Sequence, residues 1–318
     1  MLYIAPQCAP GLLPALACLM ATAGRGHDYG RDRALKIYFI NLDRSPGRLD
    51  WFMAQVAGMD VATVRVPAVD AKQLPEREFE RLRCLSSGVN SMSPAEVACL
   101  LSHRKAWALV AEGDDDWAFV AEDDIHFSAD AASFLKSDRW IPAGVDLVRA
   151  ETDLARAELS HKTWGEPAGH ELRRLKSAQL GSAGYFVSRT AARRLLGYTE
   201  RHCEPADVIL YSPERGILDE LVVLQLMPAA CIQDMWAPNA TVGGSLTSQI
   251  AQDRRQFHRS DSRSARRRGI AKLTHEFWRV GRQLASPFRM ALLATARQSV
   301  FKKVSIELTV RSDTQRAG

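Results

Sequence analysis

The sequence predicts an α/β fold in which a mostly parallel sheet is flanked by helices. Three observations carry the prediction. Short runs rich in β-branched and aromatic residues alternate with segments of helical period. Turn-forming residues punctuate these runs, and no internal repeat is present. Two of the runs end in polar clusters, Asn41-Leu42-Asp43-Arg44 and Glu122-Asp123-Asp124. Open α/β sheets bind ligands beyond the carboxyl ends of their strands, so both clusters fall where a nucleotide is expected.

The elements follow in order. Ala34 to Leu42 reads as a buried strand closed by Asp43-Arg44-Ser45-Pro46-Gly47. Arg48 to Val56 reads as a helix with Leu49, Phe52, Met53 and Val56 on one face. Val61 to Val69 supplies a second strand. Pro94 to Ala111 has the strongest helical signal: Ser93 is placed as N-cap, Pro94 takes the first helical position and Glu96 stands three residues after the cap. Trp117 to Ala121 is an apolar strand running into the acidic cluster, and Asp146–Arg149, Gly184–Ser188 and Ile217–Met227 add further strand or helix pieces.

Composition is that of a folded protein, with 46% apolar and 25% charged residues in 318, enough for one large domain or two modest ones. The six cysteines are scattered without a C-x-x-C pair, which predicts reduced thiols and a cytosolic setting. Charge is segregated: residues 253–318 hold 16 Lys and Arg against 5 Asp and Glu, and the rest holds 26 against 32. An acidic body with a basic tail argues against a protein that coats nucleic acid. In the tail, Ile270, Leu273, Phe277, Val280, Leu284 and Phe288 recur at helical spacing. This basic amphipathic helix either lies on an anionic membrane surface or packs on the domain. Gly11–Met20 is apolar but has no preceding Lys or Arg and is interrupted by Pro14, so residues 1–33 read as a loose extension rather than a signal peptide or span.

No G-x-G-x-x-G, Walker-type loop or G-x-S-x-G elbow occurs, which excludes the common dinucleotide, P-loop and hydrolase signatures. The sharpest local feature is the acidic cluster. Successive carboxylates past a buried strand require a cation or hydrogen-bond donors, and hard divalent ions take oxygen ligands while leaving positions open to phosphate. Glu122 and Asp124, two residues apart, can converge on one ion; a solvated acidic turn is the alternative. Asn41, Arg44 and Arg48 can present an amide and two guanidinium groups to phosphate oxygens, or serve as a polar turn and surface helix. His103 sits mid-helix, where a lone His is usually a satisfied structural residue. Gly181-Ser182-Ala183-Gly184 either lets backbone approach a sugar or forms a tight turn.

Four blocks in order, INLDRSPGR, AEVACLLSHRKAW, AFVAEDDI and GSAGYFVSRTAARRLL, resemble glycosyltransferase family 25. This is the lipooligosaccharide-type galactosyltransferase family, to which collagen galactosyltransferases are related. The resemblance runs from about Lys36 to Ile250, where Gln233-Asp234 and a later Ser-rich stretch look like the family's last block. It departs at Ala95, Val97 and Ala71, where the family commonly has Gly, Ile and Gly. It implies a glycosyltransferase A-type fold, a nucleotide-sugar donor, commonly UDP-galactose, and inversion at the anomeric carbon. On it, Asn41, Arg44, Arg48, Asp70, Ser102, Lys105 and Asp123 belong to the donor pocket, and Glu122 and Asp124 hold Mn²⁺ or Mg²⁺ and the diphosphate. Inversion needs a base for the acceptor hydroxyl. Asp207 matches the family's Pro-x-Asp segment, with Asp219, Glu220 and Asp234 as competitors.

The expected organisation is therefore an N-terminal extension (1–33), a transferase domain (34–252) and a basic helical tail (253–318). The expected partners are a nucleotide-sugar donor, a glycan or glycolipid acceptor and an anionic membrane, with no nucleic acid. The expected location is the cytoplasm or the cytoplasmic face of the inner membrane. The competing expectation is a catalytically degenerate transferase fold that binds membrane or nucleic acid through its tail.

Overall fold

The computed structural model describes residues 35–86, 92–238 and 299–308. The N-terminal extension and the amphipathic stretch Ile270–Phe288 lie outside the described residues.

Strands β1 (Lys36–Asn41), β2 (Thr63–Pro67) and β3 (Trp117–Glu122) form where the apolar runs end in turns. They pair in parallel, with Asn41 opposite Pro67 and Ile40 opposite Glu122. Parallel pairing brings their carboxyl ends to one edge of the sheet, carrying both polar clusters with them. Helix α1 (Pro46–Val56) connects β1 to β2 and begins at Pro46, two residues before the expected start, because proline suits the first turn. Helix α2 (Glu76–Arg83) follows. Helix α3 (Pro94–Glu112) carries the full capping box: Ser93 Oγ accepts from Glu96 N, and Glu96 Oε2 accepts from Ser93 N at 2.9 Å.

The remaining elements are β4 (Ile125–Phe127), α4 (Ala131–Leu135), β5 (Leu147–Arg149), β6 (Glu151–Thr152), β7 (Arg156–Gly165), β8 (Glu171–Leu175), β9 (Gly184–Ser188), α5 (Arg189–Tyr198), α6 (Ala206–Tyr211), β10 (Val223–Met227), β11 (Cys231–Gln233) and β12 (Ser299–Lys303). The large sheet has the order β12-β7-β8-β10-β5-β9-β3-β1-β2. Strands β2, β1, β3, β5, β10 and β7 run one way, while β9, β8 and β12 run the other. The sheet is thus mixed, its one-directional majority interrupted by β9, between β3 and β5, and by β8, between β10 and β7. Strand β12 lies in the expected tail segment but beyond its amphipathic stretch, and Ser299–Lys303 pairs antiparallel with β7. A small second sheet, β4-β11-β6, sits beyond the end of β3.

Both faces of the large sheet are covered, and β1 shows how. Tyr38 and Ile40 join a core with Trp107 and Val110 of α3, Leu195 of α5 and Ile209 of α6. Ile37 and Phe39 point the other way, into Phe52 of α1, Phe119 and Phe134. Phe39 stacks on Phe52 at 4.5 Å. Each such side chain contributes about 1.5–3 kcal/mol on burial.

Gly184, opposite Ala121, begins β9 where that strand crosses the second sheet. A Cβ there would run into Cys231 Sγ and approach Phe119 Cζ to 3.3 Å. Gly184→Ala should therefore lower stability by about 1–3 kcal/mol in urea unfolding. Adding Cys231→Ala should recover part of that loss, because the two positions share one volume; strict additivity would contradict the clash.

Candidate active site

The carboxyl edge of β1, β2 and β3 opens into a cleft of about 700 Å³ when the solvent at its open mouth is counted. One wall is the β1–α1 turn, with Leu42, Arg44 and Arg48; a second is the turn after β2, with Ala68, Val69 and Ala71. Helix α3 supplies a third through Ala95, Ala98, Cys99, Ser102 and His103, which recur at three-to-four spacing on one face. Small side chains on that face keep the helix from filling the cleft. Glu122, Asp123 and Asp124 form the end wall.

The acidic cluster is not a solvated turn. Asp123 and Asp124 are buried, and Arg48 Nη2 lies 2.7 Å from both Asp123 Oδ1 and Asp124 Oδ2. Asp123 Oδ2 also accepts from Asn41 Nδ2 at 2.6 Å. Burial pushes Asp124 up to about 7 against the attraction of Arg48, with Glu122 and Asp123 adding repulsion. Burial likewise raises Asp123. Burial acts on Glu122 too, but the His103 contact, Arg48 and Ser182 outweigh it and hold that carboxyl below its ordinary value.

The residues expected in the donor pocket divide into two groups. Arg44 and Arg48 line the cleft, and Arg44 Nε donates to Asp70 Oδ2 at 2.7 Å, which holds the Asp70 carboxyl below the usual range. Asp70 also caps the short 3-10 turn Ala71–Gln73. Ser102 lines the cleft, yet its hydroxyl accepts from Val69 N at 2.9 Å and donates to Ala98 O. Lys105 is exposed, and its ammonium reaches Pro67 O at 3.0 Å. Both therefore pin the turn after β2 against α3. Asn41 lies beneath the cleft: it accepts from Arg65 Nε and donates to Asp123 and Ser45 O.

The fold brings in residues that sequence reasoning missed. His103 is fully buried, with Nδ1 on the Tyr185 hydroxyl at 2.9 Å and Nε2 at 3.4 Å from Glu122 Oε1. The structural role expected of it is met by Tyr185, but it also faces the acidic cluster. Trp107 Nε1 donates to the same Tyr185 hydroxyl at 2.7 Å. Gln233 Nε2 donates to Glu122 Oε2 and Asp124 Oδ1, both at 3.3 Å. Strand β11 positions it, through Asp234 N on Asp124 O. Glu151, pushed up to about 8 by burial despite Arg149, accepts from Ala183 N. No local pattern marks Glu151, and Gln233 stands only in the last block of the family resemblance with no role attached, because each reaches the site through pairing between distant strands.

Gly181–Ala183 sits at the same edge, since Glu122 N donates to Ala183 O. The small residues here serve the protein's own packing: a Cβ on Gly181, whose φ is +87°, would lie 2.8 Å from Glu151 Oε2. Asp207 stands at the start of α6 and accepts from Gly181 N at 3.2 Å, beside the cleft but outside its lining. Asp219 and Glu220 are exposed before β10, at the opposite edge of the sheet. Asp234 is next to the cluster, bound to His126 Nε2 at 2.8 Å.

The oxygen donors suit a hard divalent cation. Glu122 Oε2 and Asp124 Oδ1 flank one point, now the Gln233 amide nitrogen, and Asp124 Oδ2 is held by Arg48. Three carboxylates facing one guanidinium leave the end wall short of positive charge, which a cation would supply.

The family described as Glycosyltransferase family 25 (LPS biosynthesis protein) matches residues 34–210. Lipooligosaccharide biosynthesis protein lex-1 of Haemophilus influenzae is 28% identical over 176 residues, covering 52% of this chain and 57% of that protein. This chain therefore spans under two thirds of lex-1. Lacto-N-neotetraose biosynthesis glycosyltransferase LgtB of Neisseria gonorrhoeae is 28% identical over 230 residues, covering 66% and 80%. Among solved structures, a glycosyltransferase involved in glycosylation of the major capsid of PBCV-1 is similar at 10% identity, covering 70% of this chain and 99% of that one, with a TM-score of 0.35.

Proposed function

Because the chain belongs to glycosyltransferase family 25, we propose that it moves a sugar, galactose, from a UDP-sugar to a saccharide acceptor. The acceptor is a lipooligosaccharide, lipopolysaccharide or other cell-surface glycan, the transfer inverts the anomeric carbon, and Mn²⁺ or Mg²⁺ assists it. The observation that carries the reading is the cleft at the carboxyl edge, where Arg44 and Arg48 face Glu122, Asp123 and Asp124. LgtB, a relative matched over 80% of its length, is named for lacto-N-neotetraose biosynthesis, which supports the galactose and glycolipid parts.

In this reading the two guanidinium groups bind diphosphate oxygens, for which their planar forks are suited. Arg48 Nε, buried without a partner among the described residues, has bonding capacity left. Ser102 and Lys105 hold the turn that carries Asp70 beside the nucleotide, and Asn41 fixes the Asp123 carboxylate. Glu122 and Asp124 hold the cation, which when bound would act as a Lewis acid toward the departing diphosphate. Asp207 takes the proton of the acceptor hydroxyl. Its Oδ2 is oriented by Gly181 N and its Oδ1 by Val208 N. Asp207→Asn should lower kcat by about 10²–10⁴-fold with little change in donor KM.

Among the described residues no helix is long and apolar enough to cross a membrane. We place the protein in the cytoplasm or on the cytoplasmic membrane face, where the basic segment 253–318 would meet anionic headgroups. The deciding experiment is a thermal-shift screen of nucleotide sugars with and without Mn²⁺. UDP-galactose should raise Tm, more so with Mn²⁺. A shift from another sugar nucleotide alone would remove galactose, and steep salt-dependent RNA or DNA binding without any donor shift would replace the enzyme reading with the tail-binding one.

A further inference from the structure

Glu122 faces two kinds of neighbour. On one side are the oxygen donors of Asp124 and the Gln233 amide; on the other are a thiol and an imidazole. Cys99 and His103 are one turn apart on α3 and project from the same face. One ligand atom from each of Cys99, His103 and Glu122 lies within 4.8 Å of the others. We propose that Cys99 Sγ, His103 Nε2 and Glu122 Oε1 form a second cation site in the cleft, selective for a thiophilic divalent ion such as Zn²⁺. Occupancy of this site takes Glu122 away from the oxygen-donor set.

Sulfur, nitrogen and one carboxylate oxygen are the donors zinc prefers, whereas magnesium and manganese favour oxygen alone. Zinc bonds of about 2.0–2.3 Å put tetrahedral ligand atoms roughly 3.5 Å apart. The present spacing therefore closes by side-chain rotation without moving the helix. Cys99 Sγ has no hydrogen-bond partner among the described residues, and it lines the cleft with His103 and Glu122. This leaves a fourth position open to the cleft.

The surroundings of His103 suit a ligand. Its Nδ1 rests on the Tyr185 hydroxyl, which Trp107 Nε1 holds in place. Trp107 Nε1 already donates to this hydroxyl, so the hydroxyl's own proton is directed at Nδ1 and must turn away before the oxygen can accept from the ring. When Nε2 binds a cation the ring proton moves to Nδ1 and is donated to Tyr185, the outer-shell arrangement that metal-binding histidines use. Binding also displaces the Cys99 thiol proton to solvent as the sulfur becomes a thiolate ligand.

The site stands independently of the transferase reading; only its competition with the hard-ion set rests on that reading. Titration of the full chain with Co²⁺ in a non-thiol reductant tests the site directly. One equivalent should give a thiolate-to-cobalt charge-transfer band that Zn²⁺ abolishes. Cys99→Ser should lose the band and weaken Zn²⁺ binding at least tenfold while keeping the parent's Tm and near-UV circular dichroism. A Cys8→Ser/Cys18→Ser/Cys84→Ser variant should keep it. A band that survives Cys99→Ser, or Zn²⁺ binding with no thiolate band, overturns the proposal. Mn²⁺ should give a thermal shift, and one equivalent of Zn²⁺ should weaken Mn²⁺ binding. Loss of that shift alone, with the cobalt band intact, would refute the hard-ion reading and leave this one standing.

Discussion

Arg48→Ala is expected to lower stability at pH 8 by about 3–5 kcal/mol in urea unfolding, the cost typical of removing one partner from a buried ion pair. One guanidinium nitrogen holds both Asp123 and Asp124, so its loss leaves two buried carboxylates with only the neutral Asn41 and Gln233 amides as donors. The deficit should shrink as pH falls. Asp123 and Asp124 are already raised by burial, and Arg48 opposes that rise. Without Arg48 both rise further. A carboxyl raised in the folded state binds more protons folded than unfolded, so stability falls as pH climbs from the ordinary carboxylate value to the folded one. In Arg48→Ala that fall extends to higher pH, and the variant should approach the parent near pH 4. A deficit equal at pH 5 and pH 8 would show that Arg48 acts through packing and not through its charge. Arg48→Lys should restore part of the stability but less of the donor binding, since an ammonium lacks the planar fork.

Asp124→Asn is expected to move stability and function in opposite directions. With Asp124 pushed up to about 7, its carboxyl costs the cation-free protein stability as pH climbs from the ordinary carboxylate value to about 7, and the full cost is present above that. The amide should therefore make the variant more resistant to urea at pH 8 and indistinguishable from the parent near pH 4. Transfer should drop at least about 100-fold, because the hard cation loses a ligand and the diphosphate its electrophile. The Mn²⁺-induced thermal shift should disappear as well. In the parent, that shift should be larger at pH 8 than at pH 6, since Asp124 must release its proton to bind an ion. Full activity of Asp124→Asn, or full parent activity in excess EDTA, would end the metal-assisted reading. A gain in stability with loss of turnover is the usual mark of a residue kept for chemistry.

The parts of the protein legible in its sequence are those specified locally. The capping box at Ser93 and Glu96, the apolar run of β1 and the run of β3 into the acidic cluster depend on neighbours within a few residues. Gln233, Glu151 and the Tyr185 contact of His103 depend instead on which strands pair, and strand order is not written in any one segment. Strand β9 illustrates this: Gly184–Ser188 is a visible strand, but nothing local says that it runs antiparallel between β3 and β5. That direction brings Gly181–Ala183 to the cleft edge. Asn41, Ser102 and Lys105 show the converse limit. Their positions were readable, but whether a polar side chain points at a ligand or at its own backbone follows only from the packed turn after β2.

Strand β12 changes where this protein can be cut. A boundary drawn at residue 252, where the basic segment begins, would remove the partner of β7, a ten-residue strand at that side of the sheet. The N–H and C=O groups that Ser299–Lys303 satisfies would then face water as an open template for another chain. Such a truncated protein should form edge-to-edge oligomers even with its cleft intact. A synthetic peptide spanning residues 299–308, supplied in trans, should compete for that edge and return the fragment to monomers.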